Sequence, residues 1–366
     1  MSVVPGDIDA GRGLPTTVPL RHFVVAVGFL VGATGLAVAD GVFGTLALAG
    51  FWTVAYDVGR TLARVDGLDV TEAHFAFALR SFVLVTAPRF LLALSCVTPV
   101  FAALPVTRTG LVGAHATLAV FGALYQLATT FTQTEPHGVD HHCRRIESYG
   151  YPAGVLALAG GRLVGNPLLA RIGGALVLLG VACVSILLAR RLIEARVDRA
   201  PMLSRYAVAM AGWSLLTAPA WLTDPLALAY RFGGPGTAHL LAPGVVGFVV
   251  LGILYHVVPF IVWVHRYSDR LGFEDVPVID DRLAAADFAL FSTGTGGLVA
   301  ADLLALPAVV APLASTLVAA DTVVFAANLL SVLRNHSPHT LAGVLFGRAG
   351  PAESAADDTG TGERPA

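Results

Sequence analysis

Three of the eleven histidines, His115, His239 and His256, fall inside long apolar stretches, whereas the other eight lie in or beside charged segments. An imidazole in hydrocarbon costs free energy unless it is hydrogen-bonded or coordinated, so each is a functional candidate by default. The plainer alternative is an interhelical hydrogen bond, worth roughly 0.6 to 2 kcal/mol. His239 and His256 are 17 residues apart, about 25 Å along a helix axis, so one metal ion cannot take both. Two sites, or partners from other helices, are then required.

A second constellation is Glu135-Pro-His137-Gly-Val-Asp140-His141-His142-Cys143. His137, His141, His142 and Cys143 supply nitrogen and sulfur donors that suit zinc, copper or iron. Their spacing fits no standard zinc pattern, and the adjoining Arg144-Arg145 pair repels a cation while serving plainly as topology charge. A solvated loop is the simpler reading. The third candidate is Asp321, in the middle of an apolar run. A carboxylate there faces a bundle interior, is protonated, or pairs with a cation such as Arg89, and it marks a candidate proton or ion path. Asp302 and Asp287 sit nearer helix ends and carry less weight.

The elements that position these residues follow from composition. Of 366 residues, 55% are hydrophobic and 13% charged, against roughly a quarter charged in soluble domains, so most of the chain has no aqueous surface to cover. The apolar runs are continuous and long enough for spanning helices, which take about 20 residues; the alternating pattern of a membrane β-barrel is absent. The expected fold class is all-α: a polytopic transmembrane helix bundle of about ten helices. We place them near 20–39, 41–57, 82–104, 110–132, 150–165, 170–190, 204–222, 238–264, 284–305 and 308–333. Residues 1–19 form an N-terminal tail, 20–334 the transmembrane domain and 335–366 a C-terminal tail that becomes acidic.

All 23 basic residues are arginine. Placing both termini in the cytoplasm puts eighteen of them in inner segments and four, Arg108, Arg162, Arg171 and Arg231, in outer ones, with Arg89 inside a helix. That bias sets the orientation. An internal repeat is also visible: Thr107–Thr129 aligns without gaps to Thr237–Pro259 at an offset of 130, matching Gly122-Ala-Leu-Tyr125-Gln126 to Gly252-Ile-Leu-Tyr255-His256. It implies two parallel four-helix units, about 82–191 and 204–333.

In the eighth expected helix, His239, Gly244, Gly252 and Pro259 are spaced by 5, 8 and 7 residues. This pattern resembles the signature helix of the NnrS family, linked to nitric oxide stress and denitrification and similar to haem-copper oxidase subunit I in being a helical bundle with histidine-bound haem and copper. The resemblance implies axial ligation of haem b and/or copper by His239, with His115 or His256 as further ligands, and respiratory membrane subunits as partners. An acidic residue expected beside His239 is Leu240, and the first repeat has Thr109 and Thr129 where the second has His239 and Pro259. No adjacent membrane histidines or His-x-His pair occurs, so a complete oxygen-reducing centre is not expected.

Phosphate-binding glycine loops, nucleophile elbows and basic tracts for nucleic acid are missing. Three function classes remain: a haem or copper protein of a prokaryotic plasma membrane, a proton- or ion-coupled transporter, and a structural or assembly subunit without cofactor.

Overall fold

The computed structural model describes residues 70–95, 98–124, 138–194, 201–266 and 279–336, with a few positions between 52 and 64. The expected tail 1–19, the expected helices 20–39 and 41–57 apart from isolated positions, and everything after 336 lie outside the described residues. The described residues form helices joined by short turns, with no strand among them.

In chain order these are α1 (Val70–Leu94), α2 (Arg108–Thr117), α3 (Asp140–Arg145), α4 (Tyr151–Val164), α5 (Pro167–Glu194), α6 (Pro201–Thr223), α7 (Thr237–His239), α8 (Phe248–Arg266), α9 (Asp281–Leu303) and α10 (Val310–His336). Wider, π-helical turns extend α2 through Leu118–Leu124, join α3 to α4 through Ile146–Gly150, and join α7 to α8 through Leu240–Gly247. Five stretches among the described residues are long and apolar enough to cross a membrane: Glu72–Leu92, Pro167–Glu194, Thr237–Phe260, Asp281–Leu303 and Val310–His336. The architecture is therefore all-helical, with several helices suited to a bilayer.

One expected helix needs correction. It begins at Val70, not 82, and ends at Leu94, not 104. Glu72, His74 and Arg80 read as loop by polarity, yet they occupy helical positions whose backbone bonds are satisfied internally. At the other end Ser95 and Thr98 turn their hydroxyls back onto the Leu92 and Leu94 carbonyls, at 2.6 and 3.1 Å, just before Pro99, which has no N–H to continue the ladder.

The chain divides into two compact units. One comprises Met1–Ala39, Tyr255–Asp287 and Thr322–Ala366. Within it Asn328 bridges the start of α9, its amide donating to the Asp280 carbonyl at 3.1 Å and accepting from the Asp280 N–H at 3.2 Å. Tyr255 and Phe325 meet edge to face there at 5.0 Å.

The other unit, Asp40–Leu254 with Phe288–Asp321, is organised on the α4–α5 hairpin. Gly165 ends α4 in the left-handed conformation (φ 68°), Asn166 caps α5 by accepting from the Leu168 and Leu169 N–H groups at 3.1 and 3.0 Å, and Pro167 opens the first turn. Two glycine pairs at seven-residue spacing, Gly154 and Gly161 on α4 with Gly173 and Gly180 on α5, bring the two backbones together. A Cβ at Gly173 would lie 2.2 Å from the Leu158 nitrogen and one at Gly161 2.4 Å from the Ala170 nitrogen. Gly173→Ala is expected to destabilise the protein by about 1–3 kcal/mol through overpacking. Gly160→Ala, where an added Cβ meets nothing within 4 Å, is expected to be neutral or slightly stabilising. Thermal unfolding of both variants in mild detergent checks the pair.

Candidate metal centre

The turn before α7 sets the position of His239. Gly236 holds the left-handed conformation (φ 73°), and a Cβ there would lie 2.9 Å from Leu303 and 3.5 Å from the Asp302 Cβ, so only glycine lets this turn rest on the end of α9. His239 Nδ1 consequently meets the Asp302 carboxylate in a hydrogen bond. With the carboxylate accepting from Nδ1–H, the imidazole is fixed in one tautomer with Nε2 as its lone-pair donor, the orientation that metal-bound histidines take from a carboxylate behind them. Four residues on, Pro243 has no N–H to offer the His239 carbonyl, and the chain passes through the wide turns of Leu240–Gly247 before α8 begins.

His115 lies two turns into α2 and is oriented by α1: its ring bonds the Val85 carbonyl, and the Arg89 guanidinium is close enough to act on it electrostatically. The other ring nitrogen, Nδ1, is buried with no hydrogen-bond partner among the described residues. His115 thus shares the logic of His239, one nitrogen tied to an oxygen and the other open, with the two nitrogens exchanged. His256 lies on α8, and its side chain is outside the described residues.

The constellation around Cys143 separates. Asp140–Arg145 is helical, which puts Asp140 and Cys143 on one buried face and leaves His141 and His142 exposed. The Asp140 carboxylate accepts from Arg190 Nη1 at 2.6 Å, Cys143 packs with Cys183 and Leu187, and His137 lies outside the described residues. Among the described residues no group of three or more His, Cys, Asp or Glu side chains is placed to hold an ion. Asp321 is 1% exposed on α10, and Arg89 is on the exposed side of α1.

Sequence reasoning missed three residues here. Asp302, set aside as a helix-end carboxylate, is the partner of His239, and their separation of 63 residues gives no local signal. His74, assigned to a polar loop, is 5% exposed in α1, with neither ring nitrogen partnered among the described residues. Extending the α1 helix back to Val70 would have moved it onto the candidate list.

Arg162, counted as an outer-loop charge, is 4% exposed. Its Nε donates to the Pro225 carbonyl at 3.0 Å, Nη1 to Thr117 Oγ1 at 2.7 Å and to the Arg231 carbonyl at 3.0 Å, and Nη2 to the Tyr230 carbonyl at 3.1 Å. The guanidinium also lies over the Trp221 ring, 5.2 Å from its centroid. Trp213 lies tilted against Phe121 and Trp221 meets it edge to face, and the two indoles donate to the Phe232 and Tyr230 carbonyls at 2.9 and 2.7 Å. The loop leading from α6 to His239 is therefore fastened to α2, α4 and α6 by one buried cation and two indoles. In chemical terms this end of the unit is a rigid frame for a carboxylate-backed imidazole.

Compared with protein-family models, curated proteins and solved structures, the chain matches none.

Proposed function

We propose that this is an integral membrane protein that binds haem b and/or copper through His239, acting in nitric oxide response or respiratory redox chemistry alongside other respiratory membrane subunits, in a prokaryotic plasma membrane with both termini cytoplasmic. The observation that carries the reading is the Asp302 carboxylate behind His239 Nδ1. His115, with its buried open Nδ1, and His256 are the further candidate ligands, and His74 joins them. Neutral imidazole suits both metals. When bound, iron or copper supplies one-electron transfer and a coordination position for a small ligand. The chain itself holds the imidazole in one tautomer through Asp302 and stiffens the approach to it through Arg162.

A second reading, proton- or ion-coupled transport, is favoured by the buried Asp321 in the middle of α10. The two separate cleanly. Titrating haem or a copper salt into the protein purified in mild detergent is expected to give saturable binding with a shifted absorption band; a titration that leaves the spectrum unchanged refutes the first reading.

A further inference from the structure

The segment around Cys143 has an outward face that neither reading uses. α3 lies against the last turns of α5: the Asp140 carboxylate accepts from Arg190 Nη1 at 2.6 Å, and Cys143 packs with Cys183 and Leu187. The rise from Cys183 to Arg190 is about 10 Å, so α3 covers the end of a stretch long and apolar enough to cross a membrane. That depth takes in the headgroup layer and the first part of the acyl chains.

Charge is sorted across this segment. Both of its acids, Asp140 and Glu147, are buried, as is Cys143. His141, His142 and Arg145 are exposed on the other side of α3, and the Tyr149 ring is exposed in the wide turn that follows. Exposed Glu194, at the end of α5, is engaged by Arg190 at 3.1 Å. Two imidazoles and a guanidinium on one face are donors suited to phosphate oxygens, and an exposed tyrosine suits the headgroup level. α5 adds an apolar element, because exposed Leu179, Ile186 and Ile193 recur every seven residues. They form a stripe roughly 70° around α5 from the side, marked by Cys183, Leu187 and Arg190, that α3 covers.

We propose that this face is a binding site for an anionic phospholipid. The headgroup phosphate accepts from Arg145, His141 and His142, and an acyl chain lies along Leu179, Ile186 and Ile193. Two features favour a lipid over a soluble anion or a second copy of the chain. The donors adjoin an apolar stripe, which matches both halves of an amphiphile. A second copy packed symmetrically here would bring the same basic side chains against one another. The site stands apart from His239 and needs no bound metal.

The test is native mass spectrometry of the full chain in mild detergent, titrated with phosphatidylglycerol or with phosphatidylcholine. Phosphatidylglycerol is expected to bind about 10-fold more tightly. Arg145→Gln is expected to weaken its binding about 5-fold, the effect of one arginine near an anionic headgroup. Adding His141→Ala and His142→Ala is expected to remove most of the remaining preference. All three side chains are exposed, so these variants are expected to fold as wild type does. Arg108→Ala, exposed at the opposite end of the α4–α5 hairpin, is expected to leave the preference unchanged. Equal affinity for the two lipids overturns the proposal, as does a preference that survives the triple variant or falls equally in Arg108→Ala. Displacement of the lipid by an equal concentration of inorganic phosphate would make this a free-anion site and overturn it too. A wild-type dimer that binds no lipid and dissociates in the triple variant would assign the face to a second copy instead. None of these outcomes bears on haem or copper binding.

Discussion

Arg162→Leu is expected to lose about 2–5 kcal/mol of stability, the largest effect of any single substitution outside the α4–α5 backbone contact. The loss is not that of a surface charge. Leucine leaves the Pro225 and Arg231 carbonyls without the donor that now serves them in a buried setting, and it removes the cation from the Trp221 face. Lysine is expected to recover less than half of the loss, since one ammonium cannot fork between carbonyls on both sides as the guanidinium does. Arg231→Ala provides the contrast: that guanidinium rests on Phe232 and donates to the Leu228 carbonyl within its own turn, so a change within about 0.5 kcal/mol is expected. Unfolding followed by tryptophan fluorescence reads both, because Trp213 and Trp221 sit in the affected cluster.

The second large effect concerns the imidazole. His239→Ala is expected to abolish binding at the site, whereas Asp302→Asn is expected to weaken affinity by about 10- to 100-fold without removing it, the range seen when the group behind a metal-bound histidine is changed. The two variants are expected to fold alike, because the His239–Asp302 pair is partly exposed and an exposed pair contributes about 0–1 kcal/mol. An Asp302→Asn protein that matches wild type in affinity would show that the carboxylate has no part in tuning His239.

Helical class and most helix positions were legible in the chain because apolar runs of this length have few alternatives in a bilayer. Expected helices at 170–190, 204–222, 238–264 and 284–305 correspond to α5, α6, the α7–α8 stretch and α9 within a few residues at most ends. The α1 boundary was not legible, since Glu72, His74 and Arg80 are polar yet lie within the helix. The site was legible only in half. A histidine within an apolar run announces itself by its cost, but its partner does not: Asp302 reaches His239 through the tertiary fold, and Leu240 stands where a sequence neighbour was expected to be acidic. Charge counting likewise treated Arg162 as a topological marker, although it binds four oxygens in the interior. In the Cys143 constellation His141 and His142 are exposed while Cys143 is buried, because adjacent donors on a helix point in different directions.

The most direct test is the absorption spectrum of native wild-type protein purified in mild detergent, recorded with iron and copper content and beside His239→Ala. The expected result is a Soret band, or copper in proportion to protein, that disappears in His239→Ala. A wild-type protein with neither, or a His239→Ala protein that keeps its full complement, would contradict the assignment of His239 as the ligand.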